Sequence, residues 1–244
     1  TVTGSSDVCS SDLIPLTKNA PGGPVSNGDA VWSPDGKWIA FVQTDSSDVK
    51  LRSELVPGDP SYPEVREVRF ARVGGTIPTL RVGVVDAQGK ETRWLPIPAP
   101  SEGFYLANVE WAGNSHEVLI EKLSRFRNER WFLLADVRTG ALRTVFHETN
   151  EAWVVSSHTN NSGWDMIRGG DAFIFVSEKD GWRHAYIYSR DGKELSLLTL
   201  GKFDLIERAA VDEPGGWFYF YASPDNATQK YLYRSRLDGS GRSE

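Results

Sequence analysis

The residues of this chain whose types and spacing could do chemistry are few. Ser124-Arg125-Phe126-Arg127-Asn128 is the strongest group. Read as a strand, it points Arg125 and Arg127 to one face and packs Phe126 inward, because side chains alternate along extended backbone. Paired guanidinium groups suit a substrate carboxylate or a peptide carbonyl. Arg125, Arg127 and the adjoining Asn128 are therefore the candidate substrate-binding residues. The structural alternative is an ion pair between neighbouring sheets, with Glu121 or Glu129 as partner. Asp180, Arg183 and His184 form a second polar group. It could line a cavity, or build a turn in which Asp180 caps local amides and His184 bonds the backbone of an adjoining strand. Trp217-Phe218-Tyr219-Phe220-Tyr221 has the composition of a stacking platform, but its alternation fits a strand buried on both sides. Glu148, Glu151, Asp204 and Glu207 are expected to face solvent.

Catalytic machinery is missing from the sequence. There is no Gly-x-Ser-x-Gly, the strained turn that lifts a nucleophilic serine above an α/β sheet. His116-Glu117 and His147-Glu148 lack the second histidine that a helical zinc motif needs. No phosphate-binding or dinucleotide-binding glycine loop occurs. His116, His147, His158 and His184 fall in what read as separate repeat units. No catalytic residue, no metal ligand and no cofactor is expected in this chain.

The elements that must position the arginines are short strands joined by glycine turns. Asp191-Gly192 separates strands expected over 184–188 and 195–200, a strong hairpin signal because glycine accepts the positive φ of such turns. Equivalent turns occur at Gly89, Gly140 and Gly239, about 50 residues apart, within the range of repeat periods for solenoids and propellers. Each unit holds an earlier hairpin as well: Trp32 to Val42 around Pro34-Asp35-Gly36, Val109 to Ile120 around Gly113, and the stretches turning at Gly169-Gly170 and Gly215-Gly216. Two hairpins per repeat give four strands, which describes a propeller blade. The fold class is all-β, a partial β-propeller of about four blades with four antiparallel strands in each. Blade one starts near Leu16, and the others span about 105–146, 153–200 and 205–236. Between Gln43 and Val68 the pattern breaks. Pro57, Pro60 and Pro63 cannot continue a strand or helix, so an ordered loop or insertion is expected there. Residues 1–13 are rich in Ser and Asp, lack periodicity and read as a non-native or disordered leader; residues 14–244 form the propeller part.

Bulk composition limits the functions. Hydrophobic residues at 39% and charged residues at 25% are those of a globular protein. No apolar run is long enough to span a membrane. A net charge of −6 argues against nucleic acid, whose phosphates need a basic surface. Nine tryptophans suit sheets stacked face to face, and the lone Cys9 excludes an intrachain disulfide.

Several blocks, in order, carry a family resemblance. They are Tyr62-Pro63, Arg69 through Val84, Tyr105-Leu106 to Trp111, Leu123 to Asn128, Trp153-Val154 and Ser177 to Gly201. Over roughly residues 16–238 the chain resembles the N-terminal propeller of the dipeptidyl peptidase IV family, serine peptidases of the prolyl oligopeptidase clan. The resemblance implies an eight-bladed ring, of which about half is here, and a downstream α/β-hydrolase domain carrying a Ser-Asp-His triad. It further implies peptide substrates, a role in gating their access, an extracytoplasmic or periplasmic setting, and a homodimer among the parent's assemblies. One departure stands out. The family's Glu-Glu pair, which holds a peptide's ammonium terminus, has no counterpart: Val25-Ser26-Asn27-Gly28 runs into Ala30-Val31-Trp32 with Asp29 as the only acid. Dipeptide release is therefore not implied by this stretch. The rival reading is a free-standing sensor or ligand-binding propeller.

Overall fold

The computed structural model describes residues 15–17, 23–58, 61–156 and 163–240. The leader of residues 1–13 and His158 lie outside them. The chain divides into two compact units, residues 1–95 and 96–244. No described helix is long and apolar enough to cross a membrane.

The first unit holds a four-stranded antiparallel sheet of β1 (Val25–Trp32), β2 (Trp38–Asp45), β5 (Thr79–Asp86) and β6 (Thr92–Trp94), in that order. Ile39, Phe41 and Val85 form its small core. Asp29, the acid between Gly28 and Ala30, sits at a register break in β1 with a positive φ of 49°. The insertion after Gln43 is not a loop. It is a two-stranded ribbon, β3 (Leu51–Val56) paired with β4 (Glu64–Arg69), set between the second and third strands of the sheet. Pro57 and Pro63 fall in the connection between the two strands, where no ladder hydrogen bond is lost, and that is why the flanking residues can pair; Pro60 lies outside the described residues. Arg69 anchors the root by donating from Nη1 to the carbonyls of Ser47 and Val49, both at 2.8 Å.

The second unit stacks three sheets. The first consists of β7 (Phe104–Trp111), β8 (Glu117–Ser124), β9 (Glu129–Asp136) and β10 (Leu142–Thr149). The next consists of β11 (Trp164–Ile167), β12 (Ala172–Ser177), β13 (His184–Ser189) and β14 (Glu194–Leu197). The last has three strands among the described residues, β15 (Leu205–Asp212), β16 (Trp217–Ala222) and β17 (Tyr231–Arg236), one fewer than the sequence pattern led us to expect. The four repeat turns occupy the same place, after the third strand of each sheet, with φ of 72° at Gly89, 73° at Gly140, 86° at Gly192 and 75° at Gly239. Aspartate tightens several of them: Asp136 accepts the amides of Arg138 and Thr139 at 2.8 Å, and Asp238 that of Ser240 at 2.7 Å. The result is a partial β-propeller.

Alternation along β12 and β13 explains the stacking. Phe173, Phe175, Tyr186 and Tyr188 point towards Phe132, Phe146 and Leu134 of the preceding sheet. Ile174, Val176, Ala185 and Ile187 point towards Phe218, Phe220 and Ala222 of the following one. The middle sheet is thus buried on both faces, aromatic on one side and aliphatic on the other. The aromatic run in β16 behaves differently from expectation. Phe218 and Phe220 are fully buried, but Trp217, Tyr219 and Tyr221 are half-buried on the far face. There Arg234 and Arg236 stack on Trp217 and Lys230 on Tyr221. Only one side of this strand has a sheet packed on it among the described residues.

Candidate functional site

Antiparallel pairing fixes which connections share an end of a sheet. The turn between second and third strands and the link to the next sheet leave one end; the other two turns leave the opposite end. In the second unit, contacts between sheets keep these ends aligned. Arg190, after β13, donates to the Ala112 carbonyl after β7 at 2.8 Å. On the other end, Asp204 accepts the Arg183 amide at 2.8 Å.

Ser124 ends β8, and Arg125 to Asn128 lie on that second end in the turn between β8 and β9, not in a strand. The turn is built by polar side chains instead of glycine. Ser124 Oγ accepts from the amides of Asn128 and Glu129 at 3.2 and 3.1 Å and donates to Asn128 Oδ1 at 2.9 Å. Arg127 completes it with a φ of 57°. Consequently Phe126 does not pack inward; it is 79% exposed. Arg125 and Arg127 nevertheless converge on one side chain. Arg125 donates to the Tyr105 hydroxyl, and Arg127 sits 4.8 Å from the Tyr105 ring centroid. Of the suggested acid partners, Glu121 pairs with Arg130 and Glu129 with His147. Serine and asparagine flanking a short run are a turn signal in themselves; the Arg-x-Arg alternation outweighed it in the sequence reading.

Asp180 caps a local amide, as the turn reading expects, but His184 does not bond a neighbouring backbone and the Arg183 amide goes to Asp204. Asp180 Oδ1 accepts the Trp182 amide at 3.2 Å, and Oδ2 lies 2.8 Å from Nδ1 of His184, which bonds this carboxylate and not a neighbouring backbone. Burial pushes the Asp180 carboxyl up, but the bonds from His184 and Trp182 outweigh it and hold it below the usual range. Ser177 faces His184 in register, yet its hydroxyl is engaged by Glu148. This is not a nucleophile–base pair, which would need hydroxyl and imidazole in mutual contact. His116, in the turn just before β8, and His147, in β10, belong to the same four-stranded unit and not to separate ones. Among the described residues no three His, Cys, Asp or Glu side chains are grouped to hold a metal.

Sequence reasoning missed Arg130 altogether. It is fully buried between the second unit's first two sheets, and its Nη2 donates to the Val176 carbonyl at 2.9 Å. Glu148 Oε1 lies 2.8 Å from Nη2 and the fully buried Glu121 3.5 Å from Nη1. Phe132, Phe146 and Phe175 surround the guanidinium at 5.1 to 5.6 Å. Glu148 is therefore a largely buried partner, its side chain 10% exposed, and not the solvent-facing acid expected. Nearby, burial pushes the Glu178 carboxyl up, with Arg183 opposing. Its folded form binds a proton more tightly than the unfolded chain does, so its contribution to stability falls as pH rises above the ordinary value of 4.5. Glu178→Gln should accordingly stabilise the protein slightly at pH 7 and leave it unchanged near pH 3, measured as the denaturation midpoint at each pH. A loss of stability at pH 7 would contradict this account.

Comparison with known proteins matches residues 26–244 to the dipeptidyl peptidase IV N-terminal region. The probable dipeptidyl-aminopeptidase B of Coccidioides posadasii is 26% identical over 230 residues, covering 86% of this chain and 25% of that protein. Its counterpart from Aspergillus oryzae is 29% identical, with 86% and 26% covered. The chain thus spans about a quarter of the length of these relatives. The crystal structure of Porphyromonas gingivalis dipeptidyl peptidase 4 superposes with a TM-score of 0.84 at 21% identity, covering 94% of this chain and 34% of that one. A putative dipeptidyl aminopeptidase IV from Bacteroides ovatus gives 0.73 at 18% identity, with 93% and 35% covered. With the sheets, their turns and the sequence match in agreement, the chain belongs to the dipeptidyl peptidase IV N-terminal region family.

Proposed function

We propose that this chain is the propeller portion of a serine-type dipeptidyl peptidase-like enzyme and gates the access of unfolded peptides to an α/β-hydrolase domain encoded beyond these residues. The observation that carries the reading is the family match over residues 26–244, in relatives named as dipeptidyl peptidases and about four times as long. Nucleophile and base then come from the partner domain, and the chain's own residues bind and orient. Arg125, Arg127 and Asn128 are the residues assigned to peptide contact, because their turn leaves Arg127 exposed at a blade end with the half-buried Arg125 beside it on Tyr105. The free-standing sensor is not favoured, since the relatives carry peptidase names.

In the full-length enzyme, Arg125→Ala with Arg127→Ala should raise KM for peptides by about tenfold, the loss of one charge-assisted contact, with kcat and melting temperature nearly unchanged. A large drop in melting temperature with unaltered kinetics would make the arginines structural. Absence of any turnover sensitive to a serine-directed inhibitor would overturn the peptidase reading itself.

A further inference from the structure

Large apolar side chains exposed in the second unit are distributed unevenly. The connections on the β8–β9 turn's end expose Phe126, Trp153, Trp182 and Leu200; those on the opposite end expose none among the described residues. That opposite end is closed by contacts between sheets, Arg190 on Ala112 and Glu117, and the Arg168 amide on Glu213. The most exposed of the four are Phe126 and Trp153, at 79% and 68%. Their segments are tied together: the Val154 amide donates to the Arg127 carbonyl at 2.8 Å and the Asn150 amide to the Asn128 carbonyl at 2.9 Å. Arg127 lies between them in a left-handed conformation that ordinary residues adopt at a cost and that gathers at ligand-binding segments.

We propose that Phe126, Arg127 and Trp153 form a subsite for an extended peptide, taking a large apolar side chain followed by a carboxylate. This rests on the peptide-gating reading above and names the side chains that would be selected. Two rings on tied backbones offer apolar contact at little entropic cost. The Arg127 guanidinium sits over the Tyr105 ring, 4.8 Å from its centroid, and among the described residues no hydrogen bond or ion pair engages its N–H donors. A planar fork held in this way matches a carboxylate bidentately. Arg125, bonded to the same tyrosine, keeps that ring in place and adds positive charge. Glu151 is the one acid on the described link from residue 150 to 156, and the two arginines outweigh it.

The test titrates the full chain into two labelled peptides that differ only in carrying Trp-Glu or Trp-Lys, read by fluorescence anisotropy. Wild type should bind the Trp-Glu peptide about tenfold more tightly, and Arg127→Glu should reverse that order. Phe126→Ala with Trp153→Ala should weaken both peptides by about tenfold or more. Near-ultraviolet circular dichroism checks that each variant remains folded. No binding, equal affinity for the two peptides, or an unchanged order in Arg127→Glu would overturn the subsite. So would a double variant that alters only self-association by light scattering, which would make the rings a packing face. Turnover by the longer enzyme addresses the gating reading separately, so selective peptide binding without any cleavage would sink that reading and leave the subsite standing.

Discussion

Arg130→Ala is expected to destabilise the second unit by about 3–5 kcal/mol, the usual consequence of removing one partner from a buried ion pair. The substitution leaves Glu121 fully buried without its cation, deprives Glu148 of its nearest charge and frees the Val176 carbonyl. It opens a cavity among three phenylalanines as well. Urea unfolding followed by tryptophan fluorescence would show a markedly lower midpoint. The charge itself need not be what stabilises the fold. Taking Arg and Glu out of water is costly, and well-packed apolar replacements are often neutral or better. Arg130→Met combined with Glu121→Leu should therefore recover most of the loss. A single Arg130→Ala midpoint close to wild type would show that the cluster contributes little to holding the sheets together.

The second large effect concerns two glycines with the same role in their own sheets and different surroundings. Gly192→Ala should cost about 2–5 kcal/mol and Gly140→Ala about 1–2 kcal/mol. Both place an L residue at positive φ, which by itself accounts for about 1–2 kcal/mol. At Gly140 a new methyl group would meet nothing within 4 Å. At Gly192 it would collide with the Val145 carbonyl of the neighbouring sheet, whose carbon lies 3.1 Å from the new atom. Overpacking of that kind adds roughly 1–3 kcal/mol. Equal losses in paired thermal melts would mean that the sheets can separate there without strain.

That difference also marks what could be read in the sequence. The Asp-Gly and Thr-Gly turns announce themselves locally, because positive φ is a property of the residue; the strands between them and the four-unit repeat follow. The contact of Gly192 with Val145 joins residues far apart in the chain, and no local pattern encodes it. The ribbon of β3 and β4 was obscured by its prolines, which stop a strand only where they stand. Arg125 to Asn128 was misread because alternation of Arg, Phe and Arg imitates a strand, while the turn depends on the hydroxyl of Ser124. Arg130 had a legible signature that was passed over. It shares a strand face with Phe132 and Leu134, both buried, and a charge in register with core residues points to a buried partner. The pairing of Phe126 with Trp153 needs the two backbone bonds between their segments and lies beyond any sequence pattern.

The double-sided burial of the middle sheet has a consequence for how the second unit opens. A sheet with a solvent face can be shed while the remainder stays folded, at the cost of one interface. Here β12 contributes Phe173 and Phe175 to one interface and Ile174 and Val176 to the other, and β13 does the same with Tyr186 and Tyr188 against Ala185 and Ile187. Fraying of either outer sheet strips half of the support from the same strands, and loss of the middle sheet removes both interfaces together. The central strands therefore couple the unit's openings into one event, so their amides exchange with solvent through the same transition that unfolds the unit as a whole.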